Sequence, residues 1–219
     1  MIGPADERRA ASEQRVSLGV PDLQVRDDRI APAEGEPMPT TAVKKEPTAS
    51  ALVFSKFAEG WRLCLIMHPR LEMLLPAGGH VEADETTAEA VLREVREETG
   101  LAVRLLLPLS MPLPSGTPHI PVPVPWWILE MRVPADRHEP SPHVHVDFIY
   151  VAVADRVAAR PAAHQVAWLT AAELAEHPCV VKDTRLLAKE VFAKIDDLAG
   201  AQLGGPADNE VIGQPVGTT

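Results

Sequence analysis

From Ala49 onward the chain breaks into short apolar runs separated by turn residues. The stretches "ASALVFSKF" and "WRLCLIMH" predict two strands joined by a turn at Glu59 and Gly60, because their β-branched and apolar residues cluster in runs too short for helices. "EMLLPAGGHVE" predicts a third short strand, broken by Pro76, Gly78 and Gly79. The period then changes. Ala88, Val91, Leu92, Val95 and Thr99 recur at helical spacing and form one face that can pack on a sheet. Thr86 stands where an N-cap belongs, Glu89 at its capping-box position, and Gly100 where the helix should end.

"LAVRLLLPL" predicts another strand, followed by prolines 108, 112, 114, 118, 121, 123 and 125. Proline has no amide to donate to a ladder, so "IPVPVP" reads as a loop, an extended polyproline-like segment or a sheet edge. "WWILEMRVP", "HVHVDFIYVAVA" and "QVAWL" predict three further strands. A helix over "TAAELAEH" follows, capped by Thr170 with Glu173 at the box position. A last helix runs from Lys182 to Leu198 on a stripe of Leu186, Leu187, Val191, Ile195 and Leu198.

The ends lack such patterns. Residues 1–47 contain no aromatic side chain and are interrupted by prolines and mixed charge, too little apolar surface to offset the entropy of ordering. We therefore expect a disordered tail over 1–47, one domain over 48–199 and a glycine-rich flexible tail over 200–219. Met38 opens "MPTTAVKKEP" just before the first strand and suggests a second translation start. Peptides from residues 1–37 in mass spectra of the native protein would count against it.

A length of 219 residues with 46% hydrophobic content suits one sizeable core. The net charge of −10 disfavours a nucleic-acid polymer as partner, since such binding relies on basic contacts to phosphate. Small anionic ligands stay open if a metal ion supplies positive charge. Cys64 and Cys179 lack metal-ligand spacing and read as buried apolar residues in a reducing compartment. With no leader-like segment and no run of eighteen apolar residues, the sequence predicts a cytoplasmic protein without membrane association.

The helix beginning at Thr87 ends in an electrostatic conflict. Glu94, Glu97 and Glu98 share its last turns, where each like-charge pair costs about 0.2–0.5 kcal/mol and the helix dipole disfavours each carboxylate by about 0.3–1 kcal/mol. Arg93 lies four residues from both Glu89 and Glu97 and offsets part of this, leaving Glu94 and Glu98 without an obvious partner. A divalent cation resolves the conflict. Carboxylate oxygens suit Mg²⁺, or Mn²⁺, held together with waters and substrate phosphates. An isolated E-x-x-E-E would read as a solvated acidic face, but its surroundings argue otherwise.

Gly79, Glu85, Arg93, Glu94, Val95, Glu97, Glu98, Gly100 and Leu101 satisfy all nine constrained positions of G-x5-E-x7-R-E-U-x-E-E-x-G-U, where U is aliphatic. This resembles the Nudix box, and the layout over residues 48–199 is similar to that family's. The resemblance implies an α/β/α sandwich with a mixed β-sheet and hydrolysis of a nucleoside diphosphate linked to another moiety. It further implies that Glu94, Glu97 and Glu98 bind the metal, that Glu94 or Glu98 orients or deprotonates water, and that Arg93 positions the glutamates together with Glu85. Gly79 and Gly100 carry structural roles, and a homodimer would be in keeping with the family. The rival reading is a non-catalytic nucleotide sensor or interaction module on the same fold.

Outside the box, Glu139 and Asp147 are candidates for a general base. His143, His145 and Asp147 occupy alternate positions and share a strand face, either lining the substrate cleft or forming an internally bonded polar face. A zinc site on His143 and His145 would need further ligands that the sequence does not nominate. Trp127 is a candidate to stack on a nucleobase, with Trp126 and Trp168 read as core. The substrate itself stays open. Pro114 and Pro118 are candidates for the proline of ADP-ribose hydrolases, and the only tyrosine, Tyr150, does not match the one expected of dinucleoside polyphosphate hydrolases.

Overall fold

A computed structural model of the chain describes residues 43–135, 139–154 and 161–203. Eight strands form one sheet: β1 (Lys45–Phe57), β2 (Gly60–Met67), β3 (Leu74–Leu75), β4 (Ala77–His80), β5 (Val103–Leu106), β6 (Trp127–Val133), β7 (His143–Ala154) and β8 (Val166–Leu169). The helices are α1 (Thr87–Thr99), α2 (Ala171–Glu176), α3 (Lys182–Phe192) and α4 (Ile195–Leu203). The sheet is mixed. β1 and β7 run parallel through its centre, and β2, β4, β5, β6 and β8 join by antiparallel ladders.

The period-2 alternation of β1 divides the core into two layers. Ala49, Ala51 and Val53 face α1 and pack with Cys64, Ile66, Tyr150, Val91 and Val95. Leu52 and Phe54 face the other way, toward Leu63, Leu65, Ile149, Val151 and the α2–α4 side chains Leu174, Ala188, Val191 and Ile195. The result is the expected α/β/α sandwich.

Both capping boxes form as the spacing predicts: Thr86 and Thr170 each accept from the backbone amide three residues on, while Glu89 and Glu173 return to the cap amides. Several expectations shift: α4 carries helix through Leu203, into the segment expected to be a tail, while the rest of both expected tails, 1–42 and 204–219, lies outside the described residues. β1 starts at Lys45, inside the segment read as a tail, because residues 45–54 have a full-length parallel partner in β7. The turn between β1 and β2 falls on Ala58 and Glu59, with Gly60 opening β2 at φ 122°. The single C-terminal helix is two helices, split at Ala193 and Lys194. This break redirects the chain so that Ile195 and Ala199 are buried. Leu186 is 58% exposed and is not part of the stripe; Thr184 and Ala188 are buried instead.

The proline-rich segment after β5 is a loop without strand or helix, and Leu109, Met111 and Ile120 on it are exposed. Its far end is tied down by the buried Tyr150, whose hydroxyl donates to the Pro123 carbonyl at 3.2 Å and meets Thr87 Oγ1 at 2.6 Å. No helix among the described residues is long and apolar enough to cross a membrane.

Candidate functional site

The acidic turn of α1 docks against β4, and glycine makes the approach possible. A Cβ on Gly79 would lie 2.7 Å from Glu94 Cδ, and one on Gly78 would lie 2.7 Å from Ser50 Cα. Gly100 serves differently: it closes α1 at φ 72° and donates its amide to the Arg96 carbonyl. Close approach explains the first box glycine, and left-handed backbone the second.

Arg93 is the hub of the cluster. Its Nη2 and Nε donate to the two Glu85 oxygens at 2.6 and 3.1 Å, a bidentate pair. Nη1 donates to Glu94 at 2.7 Å and reaches Glu97 at 3.5 Å, and Nη2 also donates to the His80 carbonyl at 3.1 Å. The anticipated pairing with Glu89 does not form, because Glu89 is used in the Thr86 capping box. Burial and coverage by the guanidinium hold Glu94 and Glu85 largely out of solvent, whereas Glu97 is 61% exposed.

Glu98 stands apart from that hub. Its side chain is only 14% exposed, its Oε2 accepts the Gly78 amide at 3.0 Å, and its Oε1 lies 3.3 Å from His164 Nε2. Burial pushes its carboxyl up to about 7 from 4.5, with the charges of Glu94 and Glu97 adding to the rise and the Gly78 amide opposing it. Gly78 and His164 thus belong to the site although neither was singled out as functional from sequence. The amides of Ala163 and His164 also donate to the Glu97 and Glu98 carbonyls, satisfying α1's last carbonyls and placing positive dipole ends beside the acidic turn. Nothing local predicts this contact, which spans some sixty-five residues.

The candidates outside the box are placed elsewhere. Thr48 of β1 pairs with Asp147 on one side and His80 on the other, and Glu46 pairs with His145. These residues, with His143, therefore share the face opposite α1. Asp147 is buried and accepts from Thr48 Oγ1 at 3.0 Å and Ser50 Oγ at 2.7 Å; burial raises its pKa while the hydroxyls oppose the rise. Glu139 is ion-paired with Lys44 at 2.8 Å, which lowers its pKa. Trp127 packs on the α2–α4 layer, 6.0 Å between ring centres from Trp126, whose Nε1 donates to the Leu106 carbonyl. Trp168, read as core, is half-buried and packs edge-on against Phe57. His80 joins this face to the Arg93 hub through its backbone carbonyl.

A family model described as NUDIX domain matches residues 44–190. Among solved structures, a NUDIX-family hydrolase from Clostridium perfringens is 22% identical, with 68% of this chain and 97% of that chain covered and a TM-score of 0.57. An Ap4A hydrolase from C. elegans is 14% identical, with 68% and 98% covered and a TM-score of 0.45. The NUDIX domain of Shewanella oneidensis NrtR, solved with ADP ribose, is 19% identical, with 75% and 94% covered and a TM-score of 0.44. No curated protein matches the chain.

Proposed function

The chain belongs to the NUDIX domain family, and from that premise we propose that it is a pyrophosphohydrolase that cleaves the pyrophosphate bond of a nucleoside diphosphate linked to another moiety, using Mg²⁺ or Mn²⁺ held by Glu94, Glu97 and Glu98. The observation that carries this reading is Glu98: a mostly buried carboxylate, oriented by an amide, beside two further carboxylates, with its pKa raised to about 7. An all-oxygen donor set of three carboxylates fits a hard divalent ion. When bound, such an ion neutralises diphosphate charge and acidifies a water.

The chain's own groups divide the remaining work. Glu98, whose lone pairs the Gly78 amide directs, would hold the ion or orient the attacking water. Arg93 sets the Glu94 carboxylate by direct hydrogen bond and is itself locked by Glu85 and the His80 carbonyl. Gly79 clears the space in which Glu94 sits.

The test is a release assay on nucleotides, nucleotide sugars, dinucleotides and polyphosphates with Mg²⁺ or Mn²⁺, beside Glu98→Gln. Turnover that depends on the metal and falls in the variant is expected. Turnover indifferent to both chelator and substitution would overturn the assignment of the acidic turn. Tight binding of one ligand with no hydrolysis across the panel would establish the sensor reading instead.

A further inference from the structure

We infer that Glu46, His80 and His145, with His143 beside them, form a second metal site, for one divalent transition-metal ion of the zinc class, on the sheet face opposite the box. Strand register assembles it. β1 lies between β4 and β7, so Glu46, His80 and His145 come from three adjacent strands yet project from one face. Each offers a donor atom within 4.8 Å of the other two, the one such trio among the described residues.

The donor spacing is that of ligands around an ion. Glu46 Oε2 lies 3.4 Å from His80 Nε2 and 3.5 Å from His143 Nε2, and His143 Nε2 is hydrogen-bonded to His145 Nε2 at 3.1 Å beside the trio. Zinc bonded at about 2.0–2.2 Å holds its tetrahedral donors roughly 3.3–3.6 Å apart. Glu46 Oε2 is also buried with no hydrogen bond of good geometry, its neighbours being the Nε2 atoms of His80 and His143. A buried carboxylate oxygen in that state calls for a cation or a water as partner.

The surroundings prepare the nitrogens and the charge. His143 Nδ1 lies 3.1 Å from the Ser141 carbonyl, which only accepts, so the ring proton sits on Nδ1 and the Nε2 lone pair faces the cluster. A backbone carbonyl orienting an imidazole in this way is the usual outer support of a histidine ligand. Lys44 Nζ takes the other Glu46 oxygen and Glu139, each at 2.8 Å, so two carboxylates and one ammonium leave one net negative charge at the site. Imidazole nitrogens select against Mg²⁺ and for zinc-class ions, which separates this site chemically from the carboxylate box.

The inference does not rest on the hydrolase reading, and its test removes the box first. In a full-length, tag-free Glu94→Gln/Glu98→Gln background, equilibrium dialysis against Zn²⁺, with Co²⁺ absorption as the spectroscopic probe, should find one bound equivalent with a nitrogen-ligand spectrum. His80→Ala or His145→Ala added to that background should lose it. Glu46→Gln keeps side-chain size and should weaken binding at least about tenfold through loss of one ligand; circular dichroism confirms that each variant is folded, and Glu46→Gln decides the question if a histidine variant is not. No zinc bound in the box-deficient protein, or zinc bound equally by the histidine and glutamate variants, would overturn the site. So would inorganic phosphate that binds through the same histidines in place of metal, because it would make the cluster an anion site.

Discussion

Neighbouring residues of β4 face two different centres. Gly79 lies under Glu94, which Arg93 holds together with Glu85, while His80 projects to the other face beside Glu46 and His145. The first centre is mainly carboxylate and guanidinium, with the His164 imidazole at its edge, and the second is mainly imidazole with one carboxylate. Their origins differ as much as their chemistry. Arg93, Glu94, Glu97 and Glu98 meet because a helix repeats every 3.6 residues, with Glu85 reaching Arg93 from the loop before it, whereas residues 46, 80, 143 and 145 meet only through the register of three strands. Helical spacing concentrates chemistry in a contiguous motif; sheet register disperses it along the chain.

The sharpest way to break the comparison is Glu98→Gln. Removing a positioned carboxylate should lower kcat by about 10²–10⁴-fold, read by product release, while the zinc equivalent assigned to the opposite face stays in place. Loss of that equivalent in the same variant would merge the two centres into one.

A second effect is the pH dependence of stability in the metal-free protein. The Glu98 carboxyl ionises near 4.5 in the unfolded chain and near 7 in the fold, so between these values the folded state binds the extra proton. Stability contributed by the protonated acid is therefore full below 4.5 and lost as pH rises to 7, by on the order of 3 kcal/mol. Urea denaturation across this range should show the loss in wild type and not in Glu98→Gln. A Mg²⁺ ion bound by the ionised form should restore more stability at pH 8 than at pH 5.

Gly79→Ala acts next, by pushing a methyl group against Glu94 Cδ. Overpacking of this kind costs about 1–3 kcal/mol, measurable as a lower urea midpoint, and it should reduce kcat as Glu94 leaves Arg93. Gly100→Ala is smaller, costing about 1 kcal/mol for a Cβ in left-handed backbone. It should lower the melting temperature while leaving kcat nearly unchanged, since its only task is to end α1.

Much of the architecture was legible because it is written locally. Thr86 and Glu89 announce the start of α1 and Gly100 its end, and the nine box positions identify the family from one contiguous stretch. The last helix was misread for an equally physical reason. Apolar periodicity through Leu186 and Leu198 runs on across a turn at Ala193 and Lys194, where burial of Ile195 decides the path and no glycine or proline marks the break. The start of β1 was missed because Lys45, Glu46 and Pro47 are poor strand formers that become strand only through their partner β7.

Sequence alone therefore determined the order of elements, the caps and the box, all set by interactions spanning a few residues. Tertiary structure decided the rest. It turned Glu98 toward the Gly78 amide and His164, buried Asp147 under Thr48 and Ser50, and drew Glu46 from an apparent tail to the histidines of β4 and β7. Those outcomes depend on which elements pack together and which strands pair, and a one-residue slip of register would send Glu46 or Asp147 to the opposite face.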